Sequence, residues 1–275
     1  MSALVVLVIA LLIQSIGCDK FDPTTHRAWH LVNDESCGIR TQQRVVGGSD
    51  AGIGEFPWVV NVLLQKEGVK DPITSCDGAI ISKKFVLTAA HCQLAPDNVS
   101  VPFTTIVAGE LDLSRDPDCD TNDFCPPSPK RFKVEKFIPH PVPYSDFALA
   151  KIEGEFEYDG YITPLCLEYG PLLDEDYAGD EAEFAGFGIY KIDPVTFELS
   201  TPNVLQKFTM PVQDEKGCNE TLEHIVPEFV ATSVFQPELF LCAGGRPGQH
   251  IYYGDSGGVL AIARSVVMTY PGFLA

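Results

Sequence analysis

The chain has 275 residues, a length that permits one large domain, and a formal net charge of −19. So acidic a surface repels polyanions, which excludes nucleic acid and anionic membrane as expected partners. The charge favours solubility and says little about fold.

Ala3 to Ile13 is an apolar run, and no acidic or basic residue precedes Asp19. The run is shorter than the roughly 20 residues that span a bilayer. Ser15-Ile16-Gly17 satisfies the small-x-small rule, so residues 1–17 read as a signal peptide cut after Gly17 and the protein as secreted. A membrane anchor is the rival reading of this run, and a lipidated Cys18 a weaker one. No later stretch is long and apolar enough for a transmembrane helix. Nine cysteines after a signal peptide imply an oxidising, extracellular compartment and disulfides, whose pairing spacing alone does not give. No Cys-x-x-Cys or Cys/His cluster supports a metal site, so none is expected at the cysteines.

Downstream, short runs rich in β-branched and aromatic residues predict strands. They are Trp58 to Leu64, Ala79 to Ile81, Phe85 to Thr88, Thr105 to Val107, Phe132 to Phe137 and Phe147 to Ile152. Clusters of Gly, Pro and Asp separate them. Asp116 to Pro129 reads as one surface loop, and Asp214 to Leu222 as a short helix. The pattern is all-β, a barrel or a sandwich. Asn98-Val99-Ser100 and Asn219-Glu220-Thr221 are N-glycosylation sequons.

Three motifs carry chemistry. Thr88-Ala89-Ala90-His91-Cys92 supplies a histidine, Ser145-Asp146-Phe147-Ala148-Leu149 an aspartate and Gly254-Asp255-Ser256-Gly257-Gly258 a serine. A serine hydroxyl is a weak nucleophile at neutral pH and needs a base within hydrogen-bond reach, itself oriented by a third group. Taken singly, each motif has a structural reading. In the chain order His, Asp, Ser they match one family's order and differ from the subtilisin and α/β-hydrolase orders. From about Arg44 to Gly258 the chain resembles the trypsin/chymotrypsin serine protease family.

The resemblance implies two antiparallel six-stranded barrels with the site in the cleft between them. His91 and Asp146 would come from the first barrel and Ser256 from the second. It implies that His91 accepts the Ser256 proton, that Asp146 fixes the imidazole tautomer, and that the backbone N–H groups of Gly254 and Ser256 form the oxyanion hole. Arg44-Val45-Val46-Gly47-Gly48 resembles the family's activation site, with residues 18–44 as propeptide and 45–275 as protease domain. Cleavage after Arg44 would free the Val45 ammonium to pair with Asp255, a buried pair better suited to switching than to stability. The implied bridges are Cys37–Cys166, Cys76–Cys92, Cys119–Cys125 and Cys218–Cys242. The small loop closed by Cys119 and Cys125 resembles the catalytic region of insect clip-domain proteases. Residues 18–44 hold two cysteines, and a clip domain needs six, so no clip domain is expected.

Some residues depart from the family pattern. His250 stands where trypsin-like members hold the specificity-pocket aspartate, so cleavage after Lys or Arg is not expected. Tyr252 replaces a pocket cysteine, and Val259 a proline. The 17 residues after Gly258 are fewer than the family's remaining strands and terminal helix need, so the second barrel is expected to be incomplete at its C-terminus. Glu110 and Asp112, with Asp116, Asp118 and Asp120 nearby, sit where some relatives hold calcium, a hard cation that suits oxygen ligands. The ligand pattern is incomplete, so no cofactor is expected, with calcium the one alternative. The expected partners are a protein or peptide substrate, an upstream Arg-specific activating protease and a protein inhibitor, around a monomer. The primary reading is a secreted serine endopeptidase zymogen. The alternative is a non-enzymatic homologue that keeps the cleft for binding or regulation.

Overall fold

The computed structural model describes residues 22–41, 49–64, 74–93, 103–142, 145–192, 196, 198–225, 241–246 and 251–262. Their strands are β1 (Ser49–Asp50), β2 (Val59–Leu64), β3 (Thr74–Ile80), β4 (Phe85–Thr88), β5 (Phe103–Ala108), β6 (Lys130–Pro139) and β7 (Ala148–Ile152), then β8 (Glu181–Gly186), β9 (Lys191–Ile192), β10 (Leu199–Ser200), β11 (Gln206–Pro211) and β12 (Leu260–Ile262). An α-helix, α1 (Glu215–Ile225), carries Cys218 and comes directly after Asp214, whose carboxylate caps it by accepting from Gly217 N–H at 2.7 Å.

Six strands close a barrel in the order β2-β3-β4-β7-β6-β5. A four-stranded sheet, β1-β11-β8-β12, forms the second body, and β9 with β10 makes a hairpin. β2 is apolar except for Asn61 because it is buried on both faces. Val60, Val62 and Leu64 fill the barrel with Ile80, Val86, Ile106, Ala150 and Ile152. Val59 packs outward with Trp58, Phe56 and Ala79 against Ala185, Leu205, Val259 and Ala261 of the second body. β7 alternates buried and half-buried residues, as a strand with one face inward should.

The structure contains four disulfides: Cys37–Cys166, Cys76–Cys92, Cys119–Cys125 and Cys218–Cys242. The first joins the N-terminal segment to the barrel, and the same segment is held non-covalently as well. Asn33 exchanges two hydrogen bonds with the Leu167 backbone, at 2.7 and 2.6 Å, and Gly38 N–H donates to Pro164 O at 2.8 Å. Arg40 pairs with the buried Glu183 at 2.9 Å, its guanidinium over the rings of Phe56 and Trp58.

Among the described residues no helix is long and apolar enough to cross a membrane. A buried ion pair, Lys207 on β11 with Glu55 before β2, ties the second sheet to the barrel, and Glu55 also accepts from Gly52 N–H at 2.8 Å. Breaking a buried pair strands a charge. Lys207→Ala should therefore cost about 3–5 kcal/mol in chemical denaturation, and Lys207→Met with Glu55→Gln markedly less. A cost below about 1 kcal/mol, the scale of a surface pair, would show that the pair is hydrated in solution.

Candidate active site

The barrel register brings the first two motif residues together. β4 and β7 are antiparallel neighbours with Thr88 opposite Ala148, so the residues just after β4 lie beside those just before β7. His91 sits in a short 3-10 turn, Ala90–Gln93, directly after β4. Asp146 grips it at two points. Asp146 Oδ1 accepts from the His91 backbone N–H at 2.8 Å, and Oδ2 lies 2.6 Å from His91 Nδ1. Ala90 N–H adds a bond to the Asp146 carbonyl at 3.2 Å. A carboxylate accepts only, so it selects the tautomer with the proton on Nδ1 and leaves Nε2 with its lone pair. The imidazole is 42% exposed and the aspartate side chain 22%, so the ring faces the surface with its orienting group behind it.

Ser256 is brought to the same edge by its backbone. Asp77 N–H of β3 donates to Ser256 O at 2.8 Å. Asp77 is next to Cys76, and the Cys76–Cys92 disulfide joins β3 to the residue after His91. Gly257 has φ +82°, and a Cβ there would lie 2.2 Å from Thr88 Oγ1, 2.3 Å from Asp77 O and 2.8 Å from Ala89 N. Only glycine fits so close to the barrel. The N–H groups of Gly254 and Ser256 donate to no carbonyl among the described residues. His91, Cys76 and Cys92 are close enough to suggest a metal cluster. Both sulfurs are spent in the disulfide, however, and no thiolate remains to bind an ion.

Asp255 is buried beneath this segment. Its Oδ1 accepts from Gly188 N–H and its Oδ2 from Tyr252 N–H, both at 2.9 Å. Burial pushes its carboxyl up to about 6, against these two hydrogen bonds. Beside it stands a residue that no sequence motif marks. Asp77 is fully buried, and burial, with Asp255 as a second cause, pushes its carboxyl well above the usual range. Asp77 Oδ2 accepts from Phe187 N–H at 3.1 Å. A charged residue at position 77, between Cys76 and Gly78 and just ahead of Ala79-Ile80, was the available signal.

The loop from Glu110 to Asp120 divides into two kinds of carboxylate. Asp112 is taken up by Ser114 and Arg115, and Asp120 by the backbone of Asn122 and Phe124. Asp118 is buried, with Oδ2 accepting from Leu111 N–H and Oδ1 without a partner among the described residues. Glu110 Oε1 is likewise buried and unpartnered. Burial and the nearby Asp118 charge push the Glu110 carboxyl up to about 7. Among the described residues, Glu110 and Asp118 thus each keep one buried oxygen unengaged, Asp112 and Asp120 are already engaged, and no group of three or more ligands gathers in this loop. Asn219 lies half-buried on α1. Arg44, Val45, Asn98 and His250 lie outside the described residues.

The trypsin family model matches residues 45–268, and the chain belongs to this serine peptidase family. It is 28% identical to the Spaetzle-processing enzyme of Drosophila melanogaster over 86% of this chain and 59% of that protein. Phenoloxidase-activating factor 3 of Holotrichia diomphalia is 31% identical over 84% of this chain and 63% of its own length. The proclotting enzyme of Tachypleus tridentatus is 28% identical over 83% and 58%. The chain thus spans about three-fifths of the length of these curated relatives. Among solved structures, GrC superposes with TM-score 0.59 at 23% identity, covering 81% of this chain and 86% of that one. HL collagenase gives 0.57 at 22% identity, over 82% and 84%. The fold is chymotrypsin-like.

A carboxyl whose folded value is raised from 4.5 to about 7 adds stability below 4.5 and loses it as pH rises through 7. The melting temperature of the wild-type chain should therefore fall relative to Glu110→Gln across that window, in calcium-free buffer. Parallel curves would mean that Glu110 is hydrated.

Proposed function

We propose that this protein is a secreted serine endopeptidase zymogen that hydrolyses protein substrates through an acyl-enzyme after cleavage behind Arg44. The observation that carries the reading is the double contact of Asp146 with His91, which leaves Nε2 as a base on the edge where Ser256 is tethered. His91 Nε2 takes the Ser256 hydroxyl proton as Oγ bonds to the scissile carbonyl carbon. The backbone N–H groups of Gly254 and Ser256 hold the oxyanion. The imidazolium, stabilised by Asp146, then gives its proton to the departing amine. Water repeats the sequence and releases the acyl group.

The activation step uses the same segment. Residues 1–17 would be removed on secretion, and residues 18–44 would remain attached through Cys37–Cys166 and the contacts of Asn33, Gly38 and Arg40. The freed Val45 ammonium would neutralise Asp255 and order the segment that carries Ser256. An upstream protease that cuts after Arg would supply this cleavage, as suits a member of a cascade. Relatives named for processing and activating other proteins support that placing. His250 directs cleavage away from Lys and Arg. No cofactor is needed for this chemistry, and the unengaged oxygens of Glu110 and Asp118 keep calcium as the one alternative. Asn98 and Asn219 would carry glycans.

The test is labelling with a fluorophosphonate, read by mass at Ser256. The intact chain should label poorly and the chain cut after Arg44 readily. Ser256→Ala should not label, and Arg44→Gln should stay poorly reactive after treatment with the activating protease. Equal labelling before and after the cut would remove the zymogen switch. No labelling of a folded, cut chain would make it a binding homologue without turnover.

A further inference from the structure

Two buried carboxylates share one space beneath the nucleophile. The point where a Cβ on Gly186 would sit is 2.4 Å from Asp255 Oδ1 and 2.6 Å from Asp77 Oδ2. Two such groups cannot both ionise away from water without a counter-charge, so the uncut chain holds a proton between them. Asp77 Oδ1 is buried with no partner among the described residues. Asn61, its register partner on β2, carries a second buried oxygen in the same condition, Oδ1. Buried acceptors without donors are rare and call for a donor.

We propose that Asp77 is the second anchor of the activation switch: the ammonium freed by cleavage docks between Asp255 and Asp77 and takes the place of their shared proton. The inference rests on the activation reading above and deepens it. Before docking, the pair carries one proton and one negative charge. Afterwards two carboxylates flank one ammonium, the charge is still one negative, and one proton has left to solvent. Three N–H donors would meet Asp255, Asp77 Oδ1 and Asn61 Oδ1. A protonated Asp77 is thus a placeholder that the amino terminus displaces. The groups facing the pair are few. β2 brings Asn61, the end of β8 brings Gly186, Phe187 and Gly188, and the nucleophile segment brings Tyr252. His91, beyond the Cys76–Cys92 bridge, is bound by Asp146. Asp77 is a positioning residue, since it acts through Asp255 and the Ser256 loop.

The experiment measures protection of the Val45 amine from cyanate in the full chain cut after Arg44, read by mass, against the same chain in denaturant. Ejecting one proton per docking makes wild-type protection rise with pH, by up to about tenfold per unit, over the range in which the pair still holds its proton and the free amine is still protonated. In Asp77→Asn, which has no shared proton to expel, protection should rise less steeply with pH than in the wild type and be at least about tenfold weaker at pH 8. A wild-type profile in Asp77→Asn overturns the proposal and leaves the activation reading intact. Asp255→Asn should abolish both protection and fluorophosphonate labelling, and wild-type behaviour in that variant would sink the activation reading itself. If Asp77→Asn does not fold, the wild-type slope decides, and protection independent of pH overturns the proposal.

Discussion

The catalytic edge depends on how closely the serine segment can approach the first barrel. Gly257 touches Thr88, Asp77 and Ala89 at distances that no side chain permits, and Asp77 N–H holds the Ser256 carbonyl. Thr88 and Ala89 immediately precede the turn that carries His91. Ser256 is therefore located by main-chain contact with the strand ends that also locate His91. The placing of His91, Asp146 and Ser256 is a property of the junction between two bodies. Burial of Val59, Trp58 and Phe56 against Ala185, Leu205 and Val259 keeps that junction dry.

Charges placed in that dry junction serve purposes other than stability. Ion pairs taken out of water seldom repay their desolvation. Lys207 with Glu55 is a complete pair and fixes the second sheet against the barrel. Asp255 with Asp77 is an incomplete one, two acids whose deficit is a single cation. An incomplete pair is a natural receptor for a charge that exists only after a peptide bond is cut. Glu110 and Asp118 likewise keep two buried oxygens without a donor among the described residues.

Much of this is legible in the sequence, and the gaps have physical reasons. The first barrel can be read because its strands are apolar where they are buried. The run of β2 is broken only by Asn61, and those of β4 and β7 are short and bounded by polar residues. Only the end of β3 is visible. Ser75, Cys76, Asp77 and Gly78 look like turn punctuation, yet Gly78 lies within contact distance of Val86 and Val60, and Asp77 is paired through its backbone. β8 and β11 escape a reading by pattern because Glu183, Lys207 and Thr209 are buried polar residues in their centres, and each pairs with a partner distant in sequence. The motif residues His91, Asp146 and Ser256 are recognisable by type and order. Asp77 has no motif to announce it, and its importance arises from burial, which one sequence does not display; Asp118 stands out only as one of several acidic residues in its loop. The stretch from Asp116 to Pro129 reads as a surface loop, yet it folds Asp118 beneath Leu111.

The central claim is that main-chain contact at Gly257 sets the nucleophile against its base. The most direct measurement is the rate of fluorophosphonate labelling at Ser256 in Gly257→Ala, cut after Arg44, beside the wild-type chain. A Cβ at position 257 would push the segment off Thr88 and Asp77, and misplacement of about 1 Å costs on the order of 10²-fold in rate. The account predicts a loss of at least that size with the four disulfides and the far-ultraviolet spectrum retained. Labelling at the wild-type rate would contradict it.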